Sequence, residues 1–230
     1  MLSLFTVRRA PLKSVLNLFL QGRCPLCDRP TPANFCLACQ TNLQQQTNCP
    51  PANWQSPLPV LAWRRYEGSL KRAIAALKYQ HQPQIGFTLG TWLGETWQQQ
   101  IQICNCRPVV VPIPLHPNKL QQRGYNQAEL IAQGFCRVTG LALAAHGLQR
   151  VQMTEAQFSL SAQARWQNLA QAFELGPHFQ PHKPTAPVLL IDDIYTTGAT
   201  ATSAADTLRR QQISVLGIGA IARSMAQANN

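Results

Sequence analysis

Three apolar runs stand out in the second half of the chain. Val109-Val-Val-Pro-Ile113, Val188-Leu-Leu-Ile191 and residues 214–222 are too short for helices and rich in Val, Ile and Leu. Prolines and turn residues bound them, so each reads as a buried strand. A weaker alternation over residues 58–66 makes a fourth strand, ending at a Glu67-Gly68 turn. Between these runs the period becomes that of a helix. Ser69 is placed to cap residues 70–79, where Leu70, Ile74 and Leu77 share one face while Lys71, Arg72 and Lys78 lie largely elsewhere. A second helix spans residues 85–103, with Trp92, Leu93 and Trp97 as core. Residues 126–139, 163–173 and 200–212 are further helices. Strands alternating with helices predict an α/β fold with a parallel sheet and right-handed crossovers.

The run at 188–191 leads straight into Asp192-Asp193 and then Ile-Tyr-Thr196-Thr197-Gly198-Ala199-Thr200. Two carboxylates therefore stand at the C-terminal end of a strand, the edge where open α/β sheets bind ligands. The chain has only nine Asp and Glu in all, which makes an adjacent pair there conspicuous. Two acceptors suit the vicinal hydroxyls of a ribose. The threonine hydroxyls, the backbone N–H groups around Gly198 and the following helix N-terminus suit a phosphate. The competing account is an ordinary strand–loop–helix whose acids cap the helix.

Cysteine supplies a second candidate chemistry. Cys24-Pro-Leu-Cys27 and Cys36-Leu-Ala-Cys39 form CxxC-x8-CxxC, two knuckles able to complete a tetrahedral four-thiolate site. Structural Zn²⁺ fits a segment too short for its own core, because the metal then supplies the folding energy. Two disulfides, a redox pair and an iron–sulfur cluster are the alternatives. Cys49, Cys104, Cys106 and Cys136 lack ligand spacing and read as thiols.

Three other segments carry polar chemistry. Residues 111–116 end a strand in prolines, and Gly124 permits a mobile loop bearing Lys119 and Arg123 that closes over a diphosphate. Ala76-Leu-Lys78-Tyr79 ends a helix with a cation and an aromatic. Arg150, Thr154, Gln157, Arg165 and Asn168 form a polar series running into a helix.

The chain carries 20 Lys and Arg against nine acids, a formal charge of +11, which points to anionic partners. Arg8-Arg9 before the apolar stretch at 14–20 has the flavour of an export signal, but Asn17 breaks the stretch and no small-residue cleavage site follows. A short amphipathic helix is the better reading. No run approaches the roughly 20 apolar residues that span a bilayer, so the chain reads as cytoplasmic with no transmembrane segment. Residues 44–59, rich in Gln, Asn and Pro, form a linker. The resulting division is 1–50 for the amphipathic helix and cysteine module, 51–60 for the linker and 61–230 for the main domain.

The stretch at 188–200 resembles the phosphoribosyl pyrophosphate (PRPP) signature of type I phosphoribosyltransferases. With the cysteine knuckles, residues 66–70, 76–79, 112–116 and 123–127, the arginine series and the closing Ala222-Arg223, the chain closely resembles the ComF family of competence-associated, phosphoribosyltransferase-like proteins. The resemblance implies a type I phosphoribosyltransferase-like sheet with an N-terminal zinc module. It implies that Asp192 and Asp193 hold the ribose hydroxyls and that Thr196, Thr197, Gly198, Ala199 and Thr200 cradle the 5′-phosphate. Lys78 and Tyr79 line the pyrophosphate loop, Arg123 belongs to the flexible loop, and Mg²⁺ travels with PRPP, held chiefly by its oxygens. Two functions follow: transfer of phosphoribosyl to an unidentified acceptor, or a non-catalytic role in binding single-stranded DNA for the DNA-uptake machinery, with the PRPP site as a sensor. Net charge suits the second electrostatically, but no aromatic platform is interleaved with the cations.

Overall fold

The apolar runs do pair side by side. The computed structural model describes residues 22–100, 106–151 and 172–224. In chain order its elements are α1 (Leu37–Gln44), β1 (Val60–Arg65), α2 (Gly68–Tyr79), α3 (Gln84–Gln100), β2 (Val109–Pro112), α4 (Pro117–Arg123), α5 (Gln127–Thr139), β3 (Leu148–Arg150), β4 (Phe173–Leu175), β5 (Val188–Tyr195), α6 (Ala199–Arg210) and β6 (Val215–Arg223). β1, β6, β5 and β2 form one sheet in that order, and every pairing in it is parallel. β3 and β4 make a separate antiparallel pair. The α/β class with a parallel sheet flanked by helices is therefore as the sequence predicts.

Alternation along β5 divides the core in two. Leu189 and Ile191 pack with Leu70 and Leu77 of α2, Leu89 and Leu93 of α3, and Ile131 and Phe135 of α5. Val188 and Leu190 pack on the other side with Ala204 and Leu208 of α6 and Phe173 of β4. The neighbouring strands β2 and β5 thus send their following helices, α5 and α6, to opposite faces. Such a reversal opens a crevice at the C-terminal ends of the two strands. That crevice is where the acid pair lies.

The helix layer has one tight joint. A Cβ on Gly90 of α3 would lie 2.0 Å from the carbonyl oxygen of Ile131, and one on Gly134 of α5 would lie 2.1 Å from that of Phe87. Only hydrogen at these two positions lets the backbones meet, which fixes α5 against α3 and hence the chain that follows β2. The cysteine segment is joined to this layer rather than hanging from it. Phe35 stacks on Trp92 with ring centroids 6.0 Å apart, and Asn34 Nδ2 donates to Thr88 Oγ1 at 2.6 Å.

Several local expectations are corrected. Ser69 does not cap α2: Glu67 occupies the N-cap position without a side-chain bond, and the Ser69 hydroxyl donates to Asn42 Oδ1 of α1. Phe173 opens a strand instead of ending a helix, and Cys106 is disulfide-bonded instead of a thiol. The loop bearing Lys119 and Arg123 is the helix α4. Its N-cap His116 accepts through Nδ1 from Asn118 N, Pro117 sits in its first turn, and Gly124 closes it with φ 81°. The amphipathic segment at 14–20 and Thr154, Gln157, Arg165 and Asn168 lie outside the described residues. No helix among the described residues is long and apolar enough to cross a membrane.

Replacing Gly90 by Ala should lower the unfolding free energy by about 2–3 kcal/mol, the range for an overpacked core position that meets backbone. Denaturant melts monitored by tryptophan fluorescence read this directly. A change below 0.5 kcal/mol, the scale of a neutral surface substitution, would mean that the helices do not touch there.

Candidate functional site

β5 runs to Tyr195, so both acids are strand residues and take opposite faces of the sheet. Asp193 turns toward α2, where its Oδ2 lies 2.5 Å from Lys78 Nζ; the side chains are 6% and 18% exposed. The contact is an ion pair without hydrogen-bond alignment, since that oxygen accepts no aligned bond. Asp192 turns toward α6 and lines a small cavity with Thr196, Gly198, Ala199 and Thr200. Its Oδ1 accepts from Asp193 N at 2.8 Å. Burial, and then the charge of Asp193, push the Asp192 carboxyl well above the usual carboxylate range; Lys78 opposes this weakly. Arg150 at the end of β3 feels this charge: burial lowers its pKa, and the charge of Asp192 works against that.

The bend after β5 is compact. Gly198 is the N-cap of α6 with φ 80°, and a Cβ there would strike the Tyr195 phenol at 2.3 Å. Thr197 Oγ1 accepts from Ala199 N at 3.4 Å. The cavity inside the bend is only about 20 Å³, the room of about one water.

On the α2 side of the acids lies a cleft of about 300 Å³ lined by Lys78, Tyr79, His81, Lys119, Gln122 and Arg123. Three full cations face it and no carboxylate lines it. The segment 123–127 builds it residue by residue. Arg123 Nη1 donates to Gln127 Oε1, and its guanidinium lies 5.6 Å from the Tyr79 ring centroid. Gly124 closes α4. The Tyr125 hydroxyl donates to Leu77 O at the end of α2, one residue before Lys78. Asn126 caps α5, accepting from Ala128 N at 3.1 Å, while its Nδ2 donates to Ile113 O. The structure therefore brings Lys78, Tyr79, Arg123 and Asp193 together, and sets Asp192 with residues 196–200 on the other face. His81 and Gln122 were not foreseen. His81 has the signal of a non-glycine φ of 51° just after Lys78-Tyr79, which only the backbone reveals.

The four N-terminal cysteines form a second centre. Cys24, Cys27, Cys36 and Cys39 place their Sγ atoms within 4.8 Å of one another, with Cys27 and Cys36 at 3.5 Å. A tetrahedral four-thiolate site with bonds near 2.3 Å needs sulfurs roughly 3.8 Å apart, so the set fits one metal ion. Asp28 N closes the first knuckle on Cys24 O at 2.8 Å. Cys36 is the N-cap of α1 and Cys39 lies in its first turn. Burial raises the Cys24 thiol, but N–H groups of Cys36 and Leu26 and the neighbouring thiols outweigh it and bring it to about 7. Burial and the other thiols raise Cys39.

No family model matches the chain. It is 27% identical over 230 residues to Competence protein F of Haemophilus influenzae, an alignment covering 97% of this chain and all of that protein. It is 27% identical over 204 residues to DNA utilization protein YhgH of Salmonella typhimurium, covering 88% and 84%, and 26% identical over 220 residues to that of Escherichia coli K12, covering 89% and 91%. These likenesses run the length of the chain and bear out the resemblance drawn from its motifs. A solved structure of the allosteric regulatory enzyme of purine biosynthesis overlaps 59% of this chain and 25% of its own, at 18% identity and a TM-score of 0.36.

An Asp192→Asn variant should be more stable than the parent at pH 7, by about 1–3 kcal/mol, the usual cost of an ill-matched buried polar group. The sign follows from linkage. A carboxyl whose folded pKa is raised loses stability as pH climbs past its unfolded value of about 3.9. The advantage of the amide should therefore shrink toward zero as pH falls to about 4, in paired melts across pH. A variant less stable at every pH would show that the carboxylate is favoured in the fold.

Proposed function

We propose that this chain is a PRPP-binding, phosphoribosyltransferase-like protein that acts in the cytoplasm in the service of DNA uptake. The observation that carries the reading is the junction of three features at the β2–β5 crevice: the bend at 196–200, the acid pair, and the cationic cleft reached through Lys78. The relatives named for competence and DNA utilization support the biological setting.

In this reading the first turn of α6 and residues 196–200 receive the 5′-phosphate, because first-turn N–H groups have no intrahelical acceptor. The bend must open beyond its present cavity to do so. Asp192 and Asp193 receive the ribose hydroxyls from either side of the strand. Lys78, Lys119 and Arg123 neutralise the pyrophosphate, with Tyr79 supporting the Arg123 guanidinium. Among the described residues only the cysteines group three or more ligand side chains, so Mg²⁺ would be carried by the diphosphate oxygens with few protein contacts. Transfer would break the C1′–O bond, leave pyrophosphate in the cleft and join C1′ to an acceptor that gives up a proton; the protein's part is positioning and charge. The metal of the cysteine module is zinc in this proposal, chosen by four thiolates and a tetrahedral spacing.

Calorimetric titration with PRPP and magnesium tests the reading. Binding should be measurable for the parent, and Lys78→Met should weaken it by roughly tenfold to a hundredfold, the worth of one charge-assisted contact. Parent protein that takes up no PRPP at millimolar ligand sinks the proposal. Purified protein should carry about one zinc per chain, and a strong chelator should lower its melting temperature; a metal-free, equally stable preparation would remove zinc from the account.

A further inference from the structure

Two arginines stand beside each other at the C-terminal edge of the sheet, with no ion-pair partner among the described residues. Arg65 of β1 and Arg223 of β6 are register partners on parallel strands, and Arg223 is in turn the partner of Tyr195 on β5. Partners in register share a face of the sheet, at about 4.8 Å between strands. The Arg223 guanidinium lies 5.6 Å from the Tyr195 ring centroid, and Arg65 Nε is buried without a hydrogen-bond partner. Both residues are half-buried, and neither side chain has an ion-pair or hydrogen-bond partner among the described residues. Like charges directly opposite on neighbouring strands are destabilising. Cys49, which lies within electrostatic reach of both arginines, does not compensate: burial pushes its thiol up, against the pull of Arg223, Arg65 and Arg64.

The place of this pair matters. Thr196 follows Tyr195 directly, so the arginines sit one and two strands from the start of the phosphate bend, on the side away from β2. The cationic cleft of Lys78, Lys119 and Arg123 lies toward the β2 side. If the bend takes the 5′-phosphate of PRPP and that cleft its diphosphate, the arginine pair is left for a further anion. We infer that Arg65 and Arg223 form an anion clamp for the second reactant, so that the acceptor carries an anionic oxygen group, a carboxylate or a phosphate. This rests on the PRPP reading for the word acceptor, though the clamp itself does not. Two guanidiniums meet either group with paired N–H donors.

The test titrates inorganic phosphate and nicotinate, with nicotinamide as the neutral control, at matched ionic strength. Parent, Arg65→Gln and Arg223→Gln are compared with and without saturating PRPP and magnesium. The clamp predicts that at least one anion binds the parent with PRPP in place and loses tenfold or more in affinity in both variants. Which anion responds identifies the group. Affinity for PRPP should stay within twofold in the variants, and their melting temperatures should equal or exceed that of the parent. Anion binding that is absent, or the same in all three proteins, overturns the clamp; so does a large loss of PRPP affinity, which would give these arginines to PRPP. A parent that binds no PRPP but still loses phosphate affinity in the variants overturns the PRPP reading and leaves the anion site standing.

Discussion

The ion pair between Lys78 and Asp193 ties the candidate site to the fold. It joins the last turn of α2 to the central strand β5 in a place where both side chains are largely out of water. Such a pair is poor value as a stabiliser, because desolvating two charges costs several kcal/mol and apolar residues of similar size would serve as well. Lys78 also lies at the C-terminal turn of its helix, where a cation suits the dipole, but an exposed lysine would do that equally. The pair makes sense as a shared element. One partner faces the cationic cleft and the other belongs to the acid pair, so an anion that draws on Lys78 also unbalances Asp193. Tyr125 holds the same helix end through Leu77 O, so the position of Lys78 is set from two directions.

The scaffold delivers that geometry through contacts that are not themselves chemical. Gly90 and Gly134 let α3 and α5 meet at the backbone, which places the start of α5 and the segment 123–127 beside α2. The cysteine module braces the opposite edge of the sheet. Arg65 N donates to Thr47 O at 3.0 Å, and Arg64 Nη2 donates to Gln44 O at 2.8 Å, so β1 is not left open where the module ends. Edge strands with free backbone groups invite pairing with other chains. A metal that orders the four cysteines therefore also protects that edge, and the module reaches the main core through Cys24, Phe35 and Leu43.

What could be read from the sequence was what is local. The strands announced themselves as apolar runs, and the two CxxC knuckles by spacing alone. The helix α4 was missed because it buries no residue and so has no apolar period to see; its capping signals, His116, Pro117 and Gly124, were present but look the same in a turn. Ser69 was misjudged because a partner distant in sequence, Asn42, claimed its hydroxyl. The opposite orientation of the two acids was legible in principle. It follows from strand alternation once β5 is allowed to continue to Tyr195, but the apolar run stops at Ile191 and the strand was ended with it. The Gly90–Gly134 contact and the Arg65–Arg223 pairing need the partner element in place, and no pattern along one segment carries them.

The distribution of unfavourable features gives the site its strongest physical argument. Away from the C-terminal edge of the sheet the fold is ordinary: both faces are sealed by apolar side chains, and the backbones of neighbouring strands are paired. At that edge the account changes. A carboxyl is pushed up by burial and by its neighbour's charge, a desolvated ion pair lacks hydrogen-bond alignment, two arginines stand in register with no ion-paired acid among the described residues, and a bend closes on a tyrosine ring with room for about one water. Each of these costs stability: an anion would relieve the two arginines, and hydroxyl donors would relieve the raised carboxyl. Local violations of the rules that the rest of the chain obeys tend to mark functional surfaces. Their convergence on one edge, at the crevice where β2 and β5 send their helices apart, supports the proposed ligand surface without appeal to any motif.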